Sequence, residues 1–121
     1  MRVLILGSGG REHAIGLKIS GSSLLDATFF APGNAGTEEL GTNVPLDPTD
    51  FPAVVECVKA NRIDMVVVGP EAPLVAGIAD HFAADKSLAS VAVIGPQKAG
   101  AALEGSKVFS KEFMHRHRIP T

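Results

Sequence analysis

Four runs of this chain are apolar on successive residues rather than on alternate ones: "RVLILG" from Arg2, "ATFFAPG" from Ala27, "DMVVVGP" from Asp64 and "SVAVIGP" from Ser90. A strand with one wet face alternates, whereas a continuous apolar run fits a strand covered on both faces, as in a parallel sheet with helices above and below it. Segments of helical period separate the runs: Ala14, Ile15 and Leu17 after the first, Phe51, Val54, Val55 and Val58 after the second, and Leu74, Ile78 and Phe82 after the third. Each lies where a right-handed crossover helix would return the chain to the next strand. Thr49 or Asp50 is expected to cap the second helix, with Pro52 in its first turn, and Pro73 suits the opening of the third. The pattern predicts an α/β fold: a doubly wound, Rossmann-like parallel sheet of about four strands.

The chain has 121 residues, enough for one domain with a real core and no need of a disulfide or metal staple. A net charge of −2 and the lack of tryptophan and tyrosine argue against a nucleic-acid partner, which asks for basic excess and stacking platforms. One small phosphate needs only local donors. The first apolar run breaks at Gly7, too early for a signal peptide, and nowhere do about 18 apolar residues run together, so no membrane role is expected. Cys57 stands alone, which fits a reducing, cytoplasmic home.

The expected strand order is 2-1-3-4. A first strand flanked by the second and third creates the reversal at which such folds bind ligands. Facing that crevice are residues 7–11, within "GSGGREHA", and residues 69–73, within "GPEAPL". A glycine-rich turn from strand to helix exposes backbone N–H groups at the positive helix end and lets a phosphate approach closely. Gly7, Gly9 and Gly10 stand at that place and are read as a phosphate loop rather than a bare tight turn. The dinucleotide pattern needs a third glycine where this chain has Glu12, and an acidic residue near the end of the second strand, where it has Phe30-Ala31-Pro32-Gly33-Asn34. NAD is disfavoured on both counts. A P-loop is excluded because no lysine followed by Ser or Thr closes the pattern.

Arg11 suits either a phosphate or ribose contact or a surface ion pair, and the sequence leaves both open. Glu12 in the first helical turn suits the helix dipole but would repel a dianion, so it is expected to point away; His13 is assigned no role. Glu71, held between two prolines at the end of a buried strand, is read as an acceptor for paired sugar hydroxyls. "PGNAGT", with Asn34, forms a candidate third wall. Cys57 is expected to be an inert buried thiol. His115 and His117, two apart on a helix, do not make a metal pair, and no Ser/His/Asp grouping has support from its surroundings.

The final stretch, "EGSKVFSKEFMHRHRIPT", reads as a helix capped by Ser106, with Phe109 and Phe113 four apart and a basic end near its C-terminal dipole. Pro120 is expected to stop it.

Taken together, "LGSGGREHA", "APGNAGT", "VVVGPEAPLVAGIAD" and "ALEGSKVFSKEFM...IPT" resemble the N-terminal domain of the glycinamide ribonucleotide synthetases, or phosphoribosylamine–glycine ligases, over the whole span from Met1 to Thr121. The resemblance implies a pre-ATP-grasp type domain over residues 1–104, then a helix over residues 105–121 leading to ATP-grasp lobes that the chain does not contain. Enzymes of this family use ATP to phosphorylate glycine, and the amine of phosphoribosylamine attacks the acyl phosphate. The resemblance implies that Gly7, Ser8, Gly9, Gly10 and Arg11 hold the 5′-phosphate, that Glu71 holds the ribose hydroxyls, and that Asn34 and Pro70 line the same pocket. It implies that Lys107 approaches ATP phosphates, with ATP and Mg (or Mn) belonging to the parent enzyme and no catalytic residue or metal ligand here. The chain is expected to be an inactive portion of that ligase. The competing readings are an NAD-binding dehydrogenase domain and a non-catalytic nucleotide-sensing module.

Overall fold

The computed structural model describes all 121 residues. Its five strands are β1 (Arg2–Gly7), β2 (Ala27–Pro32), β3 (Thr42–Asn43), β4 (Met65–Val68) and β5 (Ala92–Ile94). They form one sheet in the order β3-β2-β1-β4-β5, parallel throughout. The four predicted strands lie in the predicted order, and the sheet carries a fifth, β3, on its outer edge. Two residues, Thr42 and Asn43, pair with Phe29 and Phe30. A strand that short has no period to read, so the pattern that revealed the others could not reveal it.

Six helices follow: α1 (Gly10–Ile19), α2 (Phe51–Ala60), α3 (Glu71–Ala76), α4 (Ile78–Ala84), α5 (Lys98–Gly105) and α6 (Lys107–Arg116). Side chains pointing to opposite sides of β1 enter two separate cores. Leu4 and Leu6 meet Val54, Val58, Leu74, Ile78, Phe82 and Ala101 from α2, α3, α4 and α5. Val3 and Ile5 join Phe30, with Ile15 and Ile19 of α1 packed against them. Helices thus lie on both faces. At the β5 edge the cover fails on one face, since Ile94 is 49% exposed, and the expectation of two covered faces does not hold for that strand. An edge strand this short has neighbours on one side only, so its outward residues face water.

Local chemistry explains where the helices begin and end. Asp50 caps α2, its carboxylate accepting from the Ala53 amide at 3.2 Å. The helix closes in a Schellman arrangement: Arg62 takes φ 51°, the Ile63 amide reaches the Val58 carbonyl at 3.0 Å, and Ile63 is buried. The single helix expected to carry Leu74, Ile78 and Phe82 is two helices. Gly77 adopts φ 97° and its amide bonds back to Pro73 and Leu74, which ends α3 and lets α4 start at a new angle. α5 was not anticipated. Ser106 caps α6 as expected, accepting from the Phe109 amide at 3.2 Å. The helix stops at Arg116, ahead of Pro120, because Arg118 turns to φ 54° and the Ile119 amide closes on the Met114 carbonyl at 2.8 Å.

Phe30 is fully buried and its ring lies over Gly16 of α1, where an added Cβ would come within 2.5 Å of it. Replacing Phe30 by Ala is expected to lower stability by about 3–5 kcal/mol, read as a shift of the urea unfolding midpoint with unchanged slope.

Candidate functional site

β1 is the only strand with long partners on both sides, β2 and β4, so the chain leaves its C-terminal end at the reversal of strand order. Gly7 takes φ 123°, a conformation that favours glycine, and its carbonyl accepts from the Gly33 amide at 3.0 Å. Ser8 and Gly9 complete the turn, and α1 opens at Gly10. The amides of Gly10 and Arg11, in the first turn, have no acceptor within the helix. An added Cβ on Gly10 would meet nothing within 4 Å, so its outer side is open space.

Opposite this loop β4 ends at Val68, and Gly69 and Pro70 lead into α3, which begins with Glu71. The two segments bound a crevice of about 480 Å³ lined by Gly9, Gly10, Arg11, Glu12, Gly69, Pro70, Glu71 and Ala72. The larger hollow beside Phe82 and Val91 lies along α4 and β5, away from these loops. Arg11 reaches across the crevice: its Nη1 donates to the Gly69 carbonyl at 2.6 Å. That contact is neither of the two roles left open for Arg11 and ties the two loops together. Glu71 stands exposed at the mouth, its carboxylate free of protein partners among the hydrogen bonds of the structure.

Glu12 corrects the reading of the sequence. It does not point away from the loop. It turns back beneath it, 5% exposed, with Oε2 accepting from the Gly9 amide at 2.6 Å. This is the carboxylate half of a capping box, in which the residue at the third helical position reaches the backbone N–H before the helix. The Gly9 amide is thereby engaged within the protein, and the donors left to face an anion are those that follow it. The sequence did hold the signal: Glu12 lies three residues after Gly9.

Asn34 stands beside the loop rather than in the wall of the crevice. Its Nδ2 donates to the Ser8 carbonyl at 2.9 Å, and its Oδ1 accepts from the amides of Gly36 and Thr37 at 2.9 and 3.0 Å. Thr37, fully buried, donates its hydroxyl to Asn43 Oδ1 at 2.7 Å and accepts from the Asn34 amide at 2.8 Å. This network braces Ser8 from the β2 side. Thr37 closes the "PGNAGT" motif, but no motif pointed to Asn43, which the turn between β2 and β3 brings to it. The His13 ring packs over Gly36, where an added Cβ would lie 2.7 Å from it.

Lys107 lies elsewhere, exposed at the start of α6 in a shallow groove with Glu104, Ser110, Lys111 and Met114. His117 packs against Phe113 with the rings tilted by 43° and their centroids 4.5 Å apart. No three His, Cys, Asp or Glu side chains converge as a metal would require.

The geometry is that of a doubly wound α/β domain with a small, polar crevice at its strand reversal. Residues 1–104 match the family model described as phosphoribosylglycinamide synthetase, N domain, and the chain belongs to that family. It is 53% identical over its whole length to a phosphoribosylamine–glycine ligase of Agrobacterium fabrum and 48% identical to one of Escherichia coli, in each case covering 28% of the relative. The crystal structure of phosphoribosylamine–glycine ligase from Thermotoga maritima superposes with a TM-score of 0.66 at 38% identity, over all of this chain and 26% of that one. The chain therefore spans about a quarter to a third of the length of the proteins it matches. No helix is long and apolar enough to cross a membrane.

Cys57, 7% exposed on α2, is the lone thiol. Burial pushes its pKa up, opposed in part by the Asn61 side chain at 3.5 Å from Sγ. A raised value means that the thiolate is disfavoured in the fold, so this group's effect on stability is nil below the ordinary thiol range and becomes destabilising as pH rises through it. Alkylation of Cys57 by iodoacetamide at neutral pH is expected to run at least about tenfold slower in the native protein than in denaturant.

Proposed function

We propose that this chain is the phosphoribosylamine-binding portion of an ATP-dependent carbon–nitrogen ligase. That enzyme joins glycine to 5-phosphoribosylamine, giving glycinamide ribonucleotide, ADP and phosphate in de novo purine biosynthesis. The observation that carries the reading is the crevice itself: first-turn amides of α1 on one wall, an exposed carboxylate, Glu71, on the other, and Arg11 spanning them. Donors at a helix start suit a phosphate, and a carboxylate suits vicinal hydroxyls. Gly7, Ser8, Gly9, Gly10 and Arg11 shape the phosphate loop, with Gly10 and Arg11 supplying the amides. Glu71 accepts from the ribose, Pro70 fixes the approach to it, and Asn34 steadies Ser8.

A substrate held by its phosphate and hydroxyls keeps its anomeric amine uncommitted. That is what the reaction requires of this part of the enzyme, since the amine must reach an activated carboxylate presented by other lobes. ATP, when bound, supplies the phosphoryl group that activates glycine. The residues present do not build a site for it or for magnesium: there is no converging set of carboxylates, and Lys107, assigned to ATP phosphates, lies with Lys111 in an exposed groove on α6 apart from the crevice. Residues 1–104 are then the substrate domain and residues 105–121 the lead into the ATP-grasp lobes. The cytoplasm suits such an enzyme and keeps Cys57 reduced.

Titration of the chain with ribose 5-phosphate and with NAD, by calorimetry or amide chemical shifts, tests the reading. Ribose 5-phosphate should bind more tightly and move the Gly10 and Arg11 amides. Gly10→Ala, whose new Cβ meets no protein atom, should fold normally and weaken binding by obstructing the ligand alone. Glu71→Gln should cost about 1–3 kcal/mol of binding through a lost charged hydrogen bond. Tighter binding of NAD, or unchanged affinity in both folded variants, rejects the assignment.

A further inference from the structure

The proposed reaction gives no task to the most deeply placed ionisable side chain of the site, Glu12. Its surroundings are unusual in that three glycines from two loops make room for it. A Cβ on Gly69 would lie 1.9 Å from Oε1, one on Gly7 2.7 Å from Cδ, and one on Gly9 3.0 Å from Oε2. Gly7 also needs glycine for its backbone, but Gly69 does not: it has no positive φ, and the three nearest atoms to its added Cβ all belong to Glu12. The missing side chain at position 69 is space for the one at position 12. Arg11, the neighbouring residue, grips the same Gly69 through its carbonyl at 2.6 Å. Two consecutive side chains thus fix one peptide, Arg11 by pulling on its oxygen and Glu12 by filling the space against its Cα.

We propose that Glu12 is a positioning residue, a wedge between the ends of β1 and β4 that sets the width of the crevice and, by taking the Gly9 amide, directs an incoming phosphate to the amides of Gly10 and Arg11. This rests on the reading of the crevice as a sugar-phosphate site. A glutamate is the right length for the task. It reaches back from the third helical position to the residue before the helix, and its second oxygen is left against Gly69. It also occupies the position where a dinucleotide fold needs glycine for close helix packing, so the same side chain that braces this loop removes that packing.

The test uses the isotope-labelled 121-residue chain. The Gly9 amide should resist exchange with solvent in the wild type and in Glu12→Gln, which keeps an acceptor of the same reach. In Glu12→Ala its protection should fall by at least about tenfold. Should Glu12→Ala fail to fold, Glu12→Asp, which keeps the charge and shortens the reach, carries the same expectation. Gly69→Ala should lower Gly9 protection in the wild-type background and add less than about twofold on top of Glu12→Ala or Glu12→Asp, because the wedge it collides with is gone or withdrawn. The dissociation constant for ribose 5-phosphate should rise by about tenfold or more in Glu12→Ala and return to within about threefold of wild type in Glu12→Gln. A Gly9 amide equally protected without Glu12, additive effects of the two substitutions, or a Gln variant as impaired as Ala would each overturn the proposal. If the wild-type chain binds no ribose 5-phosphate, the sugar-phosphate reading falls, while amide exchange and the Glu12–Gly69 coupling still decide the wedge.

Discussion

Central placement of β1 is the constraint from which the rest of the molecule follows. Its residues are apolar toward both helical layers, and both of its edges are hydrogen-bonded, to β2 over six residue pairs and to β4 over four. Only a strand with that surface can sit in the middle of a two-sided core, because burying its backbone without partners on either edge would leave polar groups unsatisfied. Once β1 is central, its C-terminal end opens between two loops that run in opposite directions, and a crevice there is unavoidable. What the chain then does with the crevice depends on a handful of side chains.

Those side chains divide into holders and presenters. Arg11, Glu12, Asn34 and Thr37 make their contacts inside the protein and hold the loops after β1, β2 and β4 in fixed relation. Gly10 and Glu71 present donors and an acceptor outward. Pre-ordering of this kind matters for a small, highly charged ligand, since loop ordering upon binding would subtract from an affinity that rests on few contacts. The geometry shows how the loop after β1 is braced from both sides, by Asn34 on the β2 side and by Arg11 on the β4 side.

Much of this was legible before any coordinates. Continuous apolar runs at Leu4, Phe29 and Val66 revealed a parallel sheet, because two-sided burial leaves no room for alternation; the run at Val93 marked a strand whose cover is incomplete at Ile94. The glycines at 7, 9 and 10 marked the crevice, Gly7 by a backbone turn at φ 123° that few other residues allow. Less was legible where a role depends on a partner distant in sequence. Glu12 reads as a residue to be kept from a phosphate because its charge dominates the reading; the capping-box spacing to Gly9 is local, but the space against Gly69 that admits the side chain is not. Asn34 reads as a pocket residue because its side chain is versatile, and its bonds to Ser8, Gly36 and Thr37 are not visible in the motif. The break at Gly77 was missed because an apolar period of three to four residues runs through it undisturbed, and only its left-handed φ separates α3 from α4.

Taken alone, the amino-acid sequence determined the fold class, the order of the main strands, the cap at Ser106, the start of α2 at Thr49 or Asp50 and the location of the crevice. All of these arise from periodicity and local backbone preference, which act over a few residues. Tertiary structure alone decided that Glu12 lies against Gly69, that Arg11 grips the same residue, that Asn34 serves Ser8 and that β3 joins the edge of the sheet. Each of those is a contact between segments separated along the chain, and its energy exists only after the sheet has brought them together.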